Sequence, residues 1–149
     1  MKIRLIAVGD KPRPWVSEAF SEYSRRLPPQ TPLELVQIPA GKGSSRAQQG
    51  QRLLKALRRQ DWVVALDEHG SACDTQALAG KLADWRMGGK DIALLVGGAD
   101  GLDPACLARA DETLSLSTLT FPHELVRVIV AEQLYRAWSI LSGHPYHRT

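Results

Sequence analysis

Cysteine is scarce: Cys73 and Cys106 are the only two, far apart and in no CxxC or paired Cys/His spacing. That argues against a zinc site or a redox dithiol and leaves both as packing residues. No apolar run approaches the ~20 residues of a membrane helix. The start "MKIRLIAVGD" enters a short β-like run without the apolar region or cleavage site of a signal peptide. A soluble, cytoplasmic protein with no membrane partner is expected. Low-complexity tracts, internal repeats and linkers are also missing, and 44% apolar with 23% charged residues is an ordinary globular balance. One domain, 1–149, is therefore expected, and a chain of this size buries roughly two thirds of the surface its unfolded state exposes.

Several motifs are absent in an informative way. "VGGADG" does not have the GxGxxG spacing, and no acidic ribose-binding residue follows it, so a dinucleotide fingerprint fails. "AGKGSS" lacks the GxxxxGK[ST] spacing of a phosphate loop, and no G-x-S-x-G elbow of a serine hydrolase occurs. His123 has no HxxxH partner and no carboxylate to complete a site, so no metal is expected.

What is present reads as βα units around a parallel sheet. Five apolar runs rich in β-branched residues, "IRLIAV", "LELVQI", "WVVALD", "IALLVG" and "TLSLS", alternate with helical patterns. Their near-continuous hydrophobicity suits strands covered on both faces. Val16, Phe20, Tyr23 and Leu27 recur at helical spacing before the stop at Pro28 and Pro29, and Leu53, Leu54 and Leu57 form the inward stripe of a second helix. Asp74 is the expected N-cap of a third helix through Leu78, Leu82 and Trp85, closed by Gly88 and Gly89. Asp103 and Pro104 open a short fourth. The fifth starts at Pro122, has Glu124 in its first turn and a Glu132–Arg136 pair, and ends at Gly143 and Pro145.

Net charge is only +3, but Lys42, Arg46, Arg52, Lys55, Arg58 and Arg59 fall in "KGSSRAQQGQRLLKALRR" with no acidic residue between them. The stretch is either a solvated helix face or a surface that contacts phosphates.

Ligands of open α/β sheets bind outside the carboxyl ends of the strands. Three of those exits are unusual: "ALDEHG", "LLVGGADG" and "LSLSTLTFPHE". Gly97, Gly98 and Gly101 permit close backbone approach, or make an ordinary turn. Leu116 to Phe121 alternate apolar and hydroxyl side chains, which suits a slot for a flat heterocycle, or else extend the fifth strand into the core. Histidine is lopsided: His123, His144 and His147 lie in the last part of the chain with Arg127, Arg136, Tyr146 and Arg148, candidates for acid–base work or for phosphate and base contacts. A ribosome-binding module without catalysis and an α/β enzyme of nucleotide metabolism compete with an RNA-modifying enzyme at this level.

The segments "RLIAVG", "QIPAGKG", "LLVGGADGL", "LSLSTLTFPHELVRVIVAEQLYRAW" and "HPYHR" resemble, in order and over essentially the full length, the bacterial ribosomal large-subunit pseudouridine N3-methyltransferase family of the SPOUT class. The resemblance implies a five-stranded, mainly parallel sheet flanked by helices with a C-terminal trefoil knot. It also implies a homodimer that takes S-adenosylmethionine in a bent conformation and methylates N3 of a pseudouridine in large-subunit rRNA within the ribosome, with no metal and no DNA partner. Carried onto this sequence, the donor site is Leu66, Gly97, Gly98, Leu116, Ser117, Thr118, Leu119, Thr120 and Phe121. The active-site region is His123, Arg136, Tyr146, His147 and Arg148. His123 or His147 would assist the imino proton, and Arg136 and Arg148 would hold phosphates or the developing anion. The tail would close the partner's active site. The stretch between the basic helix and the third strand is short for the family.

Overall fold

The computed structural model describes residues 1–148; Thr149, the last residue of the tail, lies outside the described residues. The strands are β1 (Ile3–Val8), β2 (Leu33–Ile38), β3 (Trp62–Ala72), β4 (Ile92–Val96) and β5 (Glu112–Ser115). They form one sheet in the order β2-β1-β4-β3-β5, and every neighbouring pair is parallel. The helices are α1 (Pro14–Ser24), α2 (Arg46–Lys55), α3 (Thr75–Gly88), α4 (Pro104–Arg109) and α5 (His123–Ser142), followed by a 3₁₀ turn, Pro145–Arg148.

Local chemistry explains most of the boundaries. Asp74 and Asp103 accept from the backbone N–H of Ala77 (2.8 Å) and Cys106 (3.1 Å), capping α3 and α4 as expected. Ser45 and Gln48 add a capping box at α2 that the sequence reading did not identify. Gly89 and Gly143 end α3 and α5 in the left-handed conformation, at φ 71° and 75°.

The sheet is covered on two faces by two apolar clusters. One joins Ile3, Leu5, Ala7 and Leu94 to α1, α3 and α5; the other joins Ile6, Val8, Ala65 and Leu95 to Leu53 of α2 and Cys106 of α4. A buried ion pair closes the amino-terminal end of the sheet. Arg4 binds Asp61, donates to Ala56 O at 2.9 Å, and Asp61 accepts from Arg58 N at 2.7 Å.

Four expectations need correction. α1 stops at Ser24, and Leu27 joins the core from the following turn, because a residue before proline is pushed out of the α region. β2 is an edge strand with Glu34 and Gln37 exposed, so it is not covered on both faces. β5 ends at Ser115, and Leu116 and Ser117 leave the sheet. β3 runs past "WVVALD" to Ala72, but its pairing with β5 is interrupted between Leu66 and Ser71.

Candidate functional site

The carboxyl ends of β3, β4 and β5 open on a single cleft of about 540 Å³. Leu66 to His69 form one wall, the Gly97–Leu102 loop another, and Leu116, Ser117, Leu119, Thr120 and Phe121 a third; His123 and Val126 close it from α5 and Arg46 from α2. A more apolar cavity of about 330 Å³ adjoins it, sharing Leu66, Leu116, Ser117 and Phe121 and walled by Leu78, Leu94, Leu114 and Val130. Both volumes fall in the range of small-ligand sites.

Each wall has a local cause. The interrupted pairing pushes residues 67–70 out over the cleft, and Gly70 returns so close to β5 that a Cβ there would stand 2.8 Å from Leu114 backbone. The β4 exit folds back on itself: Gly101 N–H donates to Gly98 O at 3.0 Å, and a Cβ on Gly97 would meet Gly101 C at 2.4 Å. In the β5–α5 loop, Leu119 N–H donates to Ser117 Oγ at 2.9 Å and Ser115 Oγ–H to Ser117 O at 3.1 Å. These bonds leave Leu119 70% exposed over the cleft, an apolar surface that a bound heterocycle would cover.

The structure brings together Leu66, Gly97, Gly98, Leu116, Ser117, Leu119, Thr120 and Phe121 of the expected donor set with His123 of the expected active-site set; Thr118 lines neither cavity. Arg136, Tyr146, His147 and Arg148 lie elsewhere, at the far end of α5. There Glu132 receives Arg136 through Nε (2.8 Å) and Nη2 (2.7 Å), and Tyr146 donates its hydroxyl to the same carboxylate oxygen at 3.2 Å. The Arg136 guanidinium also covers the Tyr146 ring at 4.9 Å, and that ring packs on Tyr135 at 4.6 Å. Burial, and then the charge of Glu132, push the Tyr146 phenol up to about 12. His147 Nδ1 is 2.6 Å from His144 O. The tail is thus ordered by its own helix.

Two contributors were singled out in the sequence only as parts of longer segments, Arg46 in the basic stretch and Asp67–His69 in the exit "ALDEHG". Arg46 and the Asp67–His69 bulge reach the cleft through tertiary folding alone. Arg127, a candidate for phosphate or base contacts in the sequence, lines neither cavity and sits on the same helical stripe as Val130, Ala131 and Leu134. In the basic segment Arg52, though exposed, folds back on the β2–α2 loop, donating to Pro39 O (3.0 Å) and Ala40 O (2.8 Å), and Arg58 pairs with Asp91 at 3.8 Å.

A family model described as predicted SPOUT methyltransferase matches residues 1–147. The chain belongs to the SPOUT methyltransferase family. A protein of Alkalilimnicola ehrlichii named ribosomal RNA large subunit methyltransferase H is 56% identical over 155 positions, covering 99% of both chains. Its namesake in Thioalkalivibrio sulfidiphilus is 54% identical with the same coverage. These alignments are longer than the chain, so the relatives have residues it lacks.

Among solved structures, a probable methylase family protein from Haemophilus influenzae superposes with a TM-score of 0.61 at 12% identity, covering 97% of this chain and 69% of the other. A second, from work on 2-OH methylation of C/U34 on tRNA, gives 0.53 at 20% identity, covering 95% and 97%. These two likenesses show the SPOUT fold. As a SPOUT methyltransferase the chain uses S-adenosylmethionine as methyl donor. The cleft fits that donor: an apolar slot flanked by loop backbone, with Leu119 over its mouth. Among the described residues no helix is long and apolar enough to cross a membrane, and no group of three or more His, Cys, Asp or Glu is placed to hold a metal.

Proposed function

We propose that this methyltransferase transfers a methyl group to N3 of a pseudouridine in large-subunit rRNA within the assembled ribosome, in the cytoplasm, as a homodimer. The family trefoil knot, formed by the C-terminal part of the chain, would hold the cleft. Leu66, the Gly97–Gly98 turn and Leu116 to Phe121 hold the donor, which supplies an electrophilic methyl group on a sulfonium sulfur. The protein then has to align, exclude water and assist an imino proton.

One observation carries the dimer. The donor cleft and His123 occupy the start of α5, while Arg136, Tyr146, His147 and Arg148 occupy its other end and the turn beyond. One protomer cannot bring these groups together, whereas two copies side by side can, each tail completing the other's cleft. Trp15, at the start of α1, and Leu141, near the end of α5, are exposed large apolar residues that a second copy could cover. The relatives named as large-subunit rRNA methyltransferases support the substrate; the exposed Arg46 at the cleft and the exposed Lys42, Lys55 and Arg59 of the same basic segment support phosphate contacts.

The deciding experiment incubates the protein and S-adenosylmethionine with ribosomes from cells that lack it, then maps the rRNA by mass spectrometry. One added methyl group on a large-subunit pseudouridine is expected. Methylation of free small-subunit rRNA instead would overturn the assignment.

A further inference from the structure

Arg127 is fully buried, and its Nε, Nη1 and Nη2 have no hydrogen-bond partner among the described residues. Arginine does not escape by losing its proton under ordinary conditions, although burial pushes its proton affinity down and the charge of Glu124 acts the other way. Its companions on the α5 stripe, Val130, Ala131 and Leu134, would accept a leucine or methionine at this position. A cation placed there without an acceptor is costly unless a group from outside the chain completes it.

The guanidinium points to a definite place. Nη2 lies 2.5 Å from where a Cβ on Gly9 would stand, and His123 Cδ2 and Nε2 lie 3.5 and 3.6 Å from the same point. Gly9 follows β1, whose neighbour is β4, so this is the strand exit next to the Gly97 loop. The donor cleft takes nothing from the β1 exit, yet His123 both lines the cleft and flanks the Arg127 guanidinium. An in-line displacement needs its acceptor beyond the methyl group, next to the donor site. The cover over this point is the β1–α1 loop: Gly9 N–H holds its start to Ile38 O at 2.9 Å and Pro12 is buried, but its tie to α5 is the Arg13–Glu124 pair at 3.1 Å, with Arg13 largely exposed.

We propose that Arg127, uncovered when the Gly9–Arg13 loop lifts, is a catalytic residue that donates hydrogen bonds to a carbonyl oxygen of the acceptor base beside the nitrogen that is methylated. This rests on the methyltransferase reading above. The acceptor nitrogen gives its proton to His123 and from there to solvent, and the negative charge spreads onto the carbonyl oxygen under the guanidinium. The nitrogen pair then forms the N–CH₃ bond, and the pair of the broken S–C bond stays on sulfur. A preorganised donor aimed at developing charge in a water-poor site is the most effective form of electrostatic help.

The test compares the full-length wild type with Arg127→Met and Arg127→Lys on ribosomes lacking the modification. It reads donor affinity by calorimetry, kcat and KM across pH, and melting temperature. Arg127→Met should keep donor affinity and ribosome KM within about twofold and lose about 10²–10³ in kcat. Its rate should still climb at a pH where the wild type has levelled, because the acceptor nitrogen is less acidic without the cation. It should melt no lower than wild type, since an unpaired buried charge has gone, and Arg127→Lys should recover part of kcat. Wild-type kcat in Arg127→Met overturns the proposal. So does a fall in donor affinity, which would assign the guanidinium to the donor carboxylate, or a loss through KM with a flatter salt dependence, which would assign it to a phosphate. A lower melting temperature in both variants with every activity reduced together would make Arg127 structural. Absence of turnover in the wild type would overturn the methyltransferase reading itself.

Discussion

His123 and Arg136 stand on the same helix, and α5 holds them about 20 Å apart along its axis. A straight helix leaves no way for one protomer to fold that distance up, so a site needing both is shared between two chains or does not form.

A complementation experiment checks this. A His147→Ala, Arg148→Ala chain and a Gly97→Ala chain should each be nearly inactive as homodimers. Randomly mixed dimers should regain about a quarter of wild-type activity, since half are hybrids and each hybrid has one intact composite site. Activity that stays at the homodimer level in verified hybrids would place the tail in its own protomer's chemistry.

At Gly97 the expected mechanism is displacement of the loop. The added Cβ meets Gly101 backbone instead of open cleft, so Gly97→Ala should push the 98–101 turn outward and weaken donor binding at least tenfold by calorimetry, about 1.4 kcal/mol. Circular dichroism should be unchanged, because the pairing of β4 ends at Val96, before the turn.

Charge reversal at Lys42 and Lys55, both exposed, should weaken ribosome binding and flatten its dependence on salt by about 1.4 in log–log slope if both contact phosphates. Donor affinity should not change. Equal slopes for variant and wild type would move the RNA surface away from the basic segment.

Arg4 and Asp61 make the sharpest stability test. Asp61→Ala strands a buried guanidinium and should cost about 3–5 kcal/mol in denaturant unfolding. The double change Arg4→Met, Asp61→Leu should recover most of that loss, because it removes both charges together.

The Tyr146 phenol ionises at about 12 in the folded chain, against ~10 for an exposed tyrosine. A folded pKa above the unfolded one stabilises fully below pH ~10 and is lost as pH rises from there toward 12. Relative to Tyr146→Phe, wild-type stability should therefore hold to pH 10 and fall beyond it, as measured by urea unfolding at stepped pH. A difference already declining between pH 7 and 9 would contradict this environment.

The sequence made the alternation of strands and helices legible because each apolar run is bounded by a cap or a glycine that acts locally, as Asp74, Asp103 and Gly143 do. The cleft's walls were legible because they are strand exits. What escaped depends on partners distant in the chain. The bulge at 67–70 exists only because β5 re-pairs with Ser71 and Ala72, and Arg52 folds back on the β2–α2 loop only because Pro39 and Ala40 offer their carbonyls. The Glu132–Arg136 pair was readable at helical spacing, but its hold on Tyr146 required the chain to reverse at Gly143.

The cleft draws on Arg46 at one extreme and Val126 at the other. The lining therefore spans most of the chain, and a chain cut before His123 would lack the wall that the last helix supplies.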